Sequence, residues 1–395
     1  MNFGLNYLSD QFVFWNLRKI TKGYLQLIDS RGNEYFFGDK KSSLKTKLKI
    51  NNPNFSLKLL RKGSGGLGES YINNEFETED LSTLIELSAR NINVTYKISG
   101  FLQIFSFQNF LDKNIFPNTR ARSKKNISLH YDLGNDFFST WLDKTLTYSC
   151  GIFNSSNETL EKAQINKYNK LIDLVQPKPG DKILEIGCGW GGFAEHLAKN
   201  YDVKLDCITI SKKQFLFTKG RIRRSGLNHK VNVKMLDYRD VKKKYDCIIS
   251  IEMIEAVGEK NLDKYFKTIK ENLAPGGRVA IQAIIIKDEL HDRYRVNQDF
   301  IQRYIFPGGF LPSIKSLNKS SNQSDLKIEN YQLYGQHYSS TLQEWKKSFF
   351  NSWNLISKQG FNTNFKRMWD FYLSYCEAGF KSKNIDLIQF LLCNK

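Results

Sequence analysis

From Thr159 onward the apolar positions fall first at helical spacing, with Leu160, Gln164, Tyr168, Leu171 and Val175 on one face. Short apolar runs then alternate with helical stretches. Strands are expected at Lys182–Ile186, Val203–Thr209, Val231–Leu236, Cys247–Ile251 and Arg278–Ile286. Helices are expected from Phe193, from Lys212 and through Leu262, Tyr265, Phe266, Ile269 and Leu273, the last stopped by Pro275–Gly276–Gly277. Alternation of this kind predicts a parallel, doubly wound α/β sheet, whose ligands lie beyond the carboxyl ends of the strands. Residues 287–326 interrupt it, with a Ser/Asn/Lys-rich stretch at 315–327, and read as an insertion after the fifth strand able to cover a site. A strand near Lys327–Tyr334, two helices and a final strand at Ile385–Leu392 complete the pattern.

The N-terminal residues follow a different rhythm. Gly23–Phe37 alternates around Ser30–Arg31–Gly32–Asn33, a hairpin signal, and Asp80 is placed to cap a helix that begins at Leu81. Gly63–Ser64–Gly65–Gly66–Leu67–Gly68 spaces its outer glycines as a phosphate loop does. Glu69 stands where that loop needs lysine, so the run reads as a flexible turn. A small α+β domain over 1–111 follows, then a basic linker over 112–128 carrying Pro117, Arg120, Arg122, Lys124 and Lys125, then a catalytic domain over 129–395.

Composition changes the picture in two respects. The formal charge of +19 favours a polyanion, either nucleic acid or an anionic membrane surface, although Lys, Asn and Ile enrichment throughout the chain is an equally good account. The six cysteines form no C-x-x-C pair, which suits a reducing cytoplasm. The N-terminus lacks the pattern of a signal peptide, and no apolar run approaches the roughly 18 residues that span a bilayer. Membrane contact is therefore expected to be peripheral, and no metal site is expected.

Ile183–Gly192 carries the most specific chemistry. It is a short strand with Glu185 near its end, followed by Gly187, Gly189 and Gly192 in G-x-G-x-x-G spacing. The next strand ends in Thr209–Ile210–Ser211 and lacks the ribose-binding acid of a dinucleotide site. That combination fits S-adenosylmethionine better.

Further segments join it in a consistent order. They are His130–Phe138, Leu146–Cys150, Thr209–Ser211 with Gln214, Asp237–Asp240, Ser250–Glu255, Tyr304–Gly309 with Leu311–Ser313, Tyr338–Leu342, Arg367–Trp369 and Tyr372–Phe380. Together they resemble the cyclopropane-fatty-acyl-phospholipid synthases and the mycolic acid cyclopropanating methyltransferases, from about residue 128 to the C-terminus. Gly66–Tyr71 is similar to the extra domain of the longer, phospholipid-acting members. The resemblance implies a class I methyltransferase Rossmann-like fold and a reaction in which a cofactor methyl group becomes a methylene across a cis double bond. The substrate it implies is an unsaturated phospholipid in an anionic membrane surface, and it implies a homodimer through the N-terminal domain.

The resemblance also assigns residues. Tyr148, Ser149 and the glycine-turn backbone, with Gly187 and Gly189, would contact the methionine portion of the cofactor, Thr209 and Gln214 its ribose, and Asp237 with Tyr238 its adenine region, while Glu185, by its place just before the turn, is able to reach polar groups of the cofactor nearby. A bound bicarbonate is the family's base; Cys150 through its amide, Glu255, Tyr338 and the backbone near Ile284 would hold it. Two positions depart from the common pattern: Gln282 replaces a histidine, and Ala256 follows Glu255. Glutamine can donate to an anion but cannot relay a proton. On this reading Glu255→Gln abolishes turnover. His130 and Asp132 read as helix-entry residues, His337 as structural and Cys188 as inert. Phe12, Phe14 and Trp15 either enter a membrane interface or belong to the core of the small domain.

The rival readings are a sibling lipid methyltransferase giving methyl-branched or methylene chains, and a non-catalytic lipid-binding homologue. A nucleic-acid methyltransferase predicts an Asn/Asp-Pro-Pro-Tyr/Phe segment after the fourth strand, where this chain has Ser250–Ile251–Glu252–Met253, so nucleic acid is not an expected partner.

Overall fold

The computed structural model describes residues 3–103 and 133–395, so the basic linker and His130 and Asp132 lie outside the described residues. The described residues pack as two compact units. The first takes in those of Met1–Phe116 together with Arg293–Ile305 and Ile356–Asn384. The second comprises those of Pro117–Asp292 with Phe306–Leu355 and Ile385–Lys395.

In the first unit a small sheet runs in the order β2-β1-β3-β4, from β1 (Tyr24–Ile28), β2 (Glu34–Gly38), β3 (Lys45–Ile50) and β4 (Phe76–Glu77). The expected hairpin joins β1 to β2, its turn held by the Asp29 carboxylate, which accepts from the Arg31 and Asn33 amides at 2.9 Å each. Asp80 caps the helix Leu81–Arg90 as expected, through the Ser82 amide. The segments 293–305 and 356–384 belong to this unit for a packing reason that no local pattern reveals. Tyr71 donates to Asp370 at 2.6 Å and Ser82 to Glu377 at 2.7 Å, nearly three hundred residues away.

The glycine run at 63–68 is not a flexible turn. It lies within the helix Phe55–Ile72, kinked only at Gly63 (φ +53°). Its glycines serve close approach: a Cβ on Gly68 would overlap the Phe300 ring and stand 3.1 Å from Phe371 Cε1. Gly68→Ala is therefore expected to cost about 1–3 kcal/mol, as overpacking of a dense core does. Calorimetry should show a melting temperature lower by several degrees, and an unchanged melting temperature would mean the Phe300 ring moves aside freely.

The second unit holds a seven-stranded sheet in the order β10-β11-β9-β8-β5-β6-β7. The strands are β5 (Lys182–Ile186), β6 (Lys204–Thr209), β7 (Val231–Met235), β8 (Tyr245–Ile251), β9 (Leu273–Ile286), β10 (Leu326–Leu333) and β11 (Ile385–Asn394). Strands β5 to β9 are mutually parallel, while β11 runs antiparallel between β9 and β10. Neighbouring side chains on each central strand feed opposite faces: Leu184 and Ile248 enter one core, Ile183 and Cys247 the other. Burial on both faces explains the near-continuous Ile/Leu/Val runs. The order reverses beside β5, flanked by β6 and β8, so the ligand crevice opens at their carboxyl ends.

Two local features differ from the expectation. Strand β9 already begins at Leu273, with Pro275–Gly276–Gly277 inside its span, where a Cβ on Gly277 would crowd Asp246 O at 2.9 Å. The Ser/Asn/Lys-rich stretch of the insertion is the helix Ile314–Gln323, started by a capping box between Ser313 and Ser316.

Candidate active site

The cofactor turn follows directly from the end of β5. Gly187 and Gly189 take φ of +86° and +51°, which favours glycine over any residue with a Cβ. Nothing lies within 4 Å of where a Cβ on Gly189 would stand, so the turn presents bare backbone to open space. Beside it Glu185 is buried, and its Oε2 has no hydrogen-bond partner. Burial pushes its carboxyl up to about 8. At the end of β6 the Thr209 hydroxyl donates to Gln214 Oε1 at 2.9 Å, setting both residues on the same rim. Asp237 caps the turn Tyr238–Asp240 and is bridged to Arg239 at 2.8 and 2.6 Å, while Tyr238 packs against Tyr265.

Tyr148 belongs to an aromatic wall with Phe138, Trp141 and Trp345, ring centroids 5.1 to 5.8 Å away. Next to Tyr148 in the chain, Ser149 Oγ accepts at 2.7 Å from Nζ of Lys167, which is fully buried on the helix Leu160–Val175. Its ammonium is pushed down to about 8 by burial and sustained chiefly by the negative charge of Glu252. An open glycine turn next to a buried carboxyl with one oxygen left without a hydrogen-bond partner fits a nucleoside whose amino-acid part is cationic, as S-adenosylmethionine is.

The four residues assigned to bicarbonate do gather, but around protein carboxylates. The Cys150 amide donates to Glu252 Oε1 at 2.9 Å, Gln282 Nε2 to the same oxygen at 2.8 Å, and the Tyr338 hydroxyl to Glu252 Oε2 at 2.6 Å. The Ile284 amide donates to Glu255 Oε1. Every donor expected to hold a bicarbonate thus has a glutamate in its place, and the residues present do not fit that ion. Gln282 is oriented for this role, because Gln389 Nε2 donates to its Oε1 at 2.8 Å and turns its amide NH₂ toward Glu252.

The two half-buried glutamates divide their roles by environment. Burial raises both. Glu252 is drawn back toward ionisation by Tyr338, Lys167, Cys150 and Gln282. Glu255, pushed up to about 8 by burial and by the charge on Glu252, holds its proton at neutral pH. The Cys150 thiol is pushed well up by burial, leaving its amide as the group that acts. His337 accepts from the Phe153 amide through Nδ1 at 3.2 Å, a structural bond.

Glu252, Lys167 and Gln389 are the site residues that sequence reasoning overlooked. Glu252 lies within Ser250–Glu255, directly after β8, and its position at a strand's carboxyl end is the available signal. Lys167 looked like one of many helix lysines, and nothing local marks Gln389.

A sheet of this order with such a turn at the end of its first parallel strand defines an S-adenosylmethionine-dependent methyltransferase. The model of the family described as mycolic acid cyclopropane synthetase matches residues 118–390, and the chain belongs to that family. It is 35% identical over 356 residues to the cyclopropane-fatty-acyl-phospholipid synthase of Escherichia coli K12, covering 87% of this chain and 86% of that one. It is also 35% identical over 341 residues to the tuberculostearic acid methyltransferase UfaA1 of Mycobacterium tuberculosis, covering 84% and 79%. Among solved structures, the mycolic acid cyclopropane synthase CmaA1 complexed with SAH and CTAB matches with a TM-score of 0.64 at 28% identity, over 69% of this chain and 98% of that chain. The chain is a cyclopropane fatty acid synthase or a related lipid methyltransferase.

Proposed function

We propose that the enzyme adds a methylene to cis double bonds in the acyl chains of phospholipids. The observation that carries this reading is a half-buried carboxylate pair after the end of β8, one of them gripped by three donors, with an aromatic wall in the same unit. Bound S-adenosylmethionine would supply an electrophilic methyl group. The alkene is itself the nucleophile, so the protein need only align it, stabilise the resulting cation and remove a proton. Aromatic faces stabilise a desolvated cation by about 2 kcal/mol.

Sibling chemistry, in which the same cation ends as a methyl-branched or methylene chain, is favoured by the likeness to the protein named tuberculostearic acid methyltransferase. The deciding experiment incubates the protein with labelled S-adenosylmethionine and vesicles of anionic unsaturated phospholipid, then examines the acyl chains by NMR. Cyclopropane ring protons support the reading. Branched or methylene signals move the product to the sibling, and unlabelled lipid overturns both.

The charge of +19 suits attachment to anionic headgroups, each nearby Lys or Arg contributing about 1 kcal/mol. Among the described residues no helix is long and apolar enough to cross a membrane. The helix Phe3–Leu17 leaves Leu8 and Trp15 65% and 55% exposed, beside Arg18 and Lys19, whereas Phe14 is core. Leu8→Ala with Trp15→Ala is expected to weaken sedimentation with anionic vesicles about tenfold, from the apolar area withdrawn. Undiminished sedimentation would remove this helix from the interface. A homodimer belongs to the same proposal, and light scattering that shows only monomer overturns that part of it.

A further inference from the structure

Resting on the lipid-methylating reading above, we propose that Glu252 is the proton acceptor of the reaction, a resident carboxylate that makes a bound bicarbonate unnecessary. Three donors that could grip a free anion converge on this one side chain: the Cys150 amide, Gln282 and Tyr338. Gln389 fixes the orientation of Gln282, so the cradle is built for its occupant rather than filled by chance.

The backbone gives independent support. Glu252 sits at φ +48°, a left-handed conformation that a residue with a Cβ seldom adopts, directly after β8. Glycine would take this position without strain. Strain of this kind persists where a function requires the side chain to be held in one place. Lys167 supplies the compensating positive charge in the same buried region.

The step balances without a co-reactant. The carbocation left on the acyl chain loses a proton from its newly received methyl group to a Glu252 carboxylate oxygen. The electron pair of the broken C–H bond closes the three-membered ring onto the cationic carbon. Glu252 becomes a carboxylic acid and returns the proton to solvent before the next turnover.

Two variants and two readouts test this. Glu252→Gln keeps the shape and removes the base; Glu252→Gly opens the cradle and relieves the backbone, so it should fold. In carbonate-depleted buffer the unaltered enzyme should turn over at an undiminished rate, Glu252→Gln should lose at least a thousandfold, and Glu252→Gly should regain activity as millimolar bicarbonate is added. Equilibrium dialysis against labelled bicarbonate should show saturable binding to Glu252→Gly and none to the unaltered protein, whether or not lipid is modified. Bicarbonate bound stoichiometrically by the unaltered protein, or turnover that stops without it, overturns the proposal while leaving the lipid reaction standing. Absence of lipid product from the unaltered enzyme defeats the functional reading, and the role of Glu252 as base with it.

Discussion

Lys167→Met should lower turnover about a hundredfold at pH 7 and move the acidic limb of the pH–rate profile upward by one to two units. The ammonium is buried within reach of the same region as Glu252, and its attraction is one of the influences that hold Glu252 toward ionisation. Removing a positive charge favours the protonated carboxyl, so the carboxylate fraction at neutral pH falls. Each unit of displacement is a tenfold loss on the acidic limb, worth about 1.4 kcal/mol. Raising the pH should therefore recover much of the lost rate in the variant. The measurement is kcat against pH from 5.5 to 9 for both proteins. A loss that is equal at every pH would assign Lys167 to holding Ser149 Oγ, the atom it donates to at 2.7 Å, and not to the charge of the site.

That lysine also shows why the site was harder to read than the fold. Most strands could be placed within two residues because the central ones are short apolar runs bounded by turn residues, as Lys182–Ile186 is, whereas β9 starts five residues before the expected Arg278. The helix starts were readable where a capping side chain precedes them, as Thr159 and Ser211 do. The glycine run at 63–68 was misread because its reason, the approach of the Phe300 ring, lies more than two hundred residues away. The site combines both kinds of signal. Its glycine turn is local and was found. Its carboxylate cradle joins an amide from the Cys150 segment, side chains from β9 and β11, and Tyr338 from the helix Gly335–Asn351. The resemblance assigns Cys150, Gln282, Tyr338 and Glu255 to an external ion, and no local pattern separates Glu252 from Glu255, three residues further on. Only the three hydrogen bonds converging on Glu252 distinguish them.

Glu185→Gln should weaken S-adenosylmethionine binding about thirty- to a hundredfold at pH 8 and remove the part of the pH dependence of the affinity that Glu185 contributes. Burial holds the Glu185 carboxyl up at about 8, so the ligand-free protein carries a proton there at neutral pH. A ligand bearing sulfonium and ammonium charges favours the carboxylate and must expel that proton. The sign follows: affinity rises with pH and levels off above about 8, and below that value it falls about tenfold per unit. Lys167 titrates in the same window and pushes affinity in the same direction, since its neutral form repels a cationic ligand less. The thiols of Cys188 and Cys207 beside Glu185 stay protonated throughout the range, pushed well up by burial. Because Glu185→Gln retains Lys167, any pH dependence that survives in the variant belongs to the lysine. Calorimetry in two buffers of different ionisation enthalpy gives the proton count directly: at pH 7 the unaltered protein should release close to one proton more than the variant, whose remaining release belongs to Lys167. Binding by the unaltered protein that is flat from pH 6 to 8, with no proton released, would make Glu185 a core acid that stays protonated beside the turn and would leave recognition of the cofactor's cationic part to other groups.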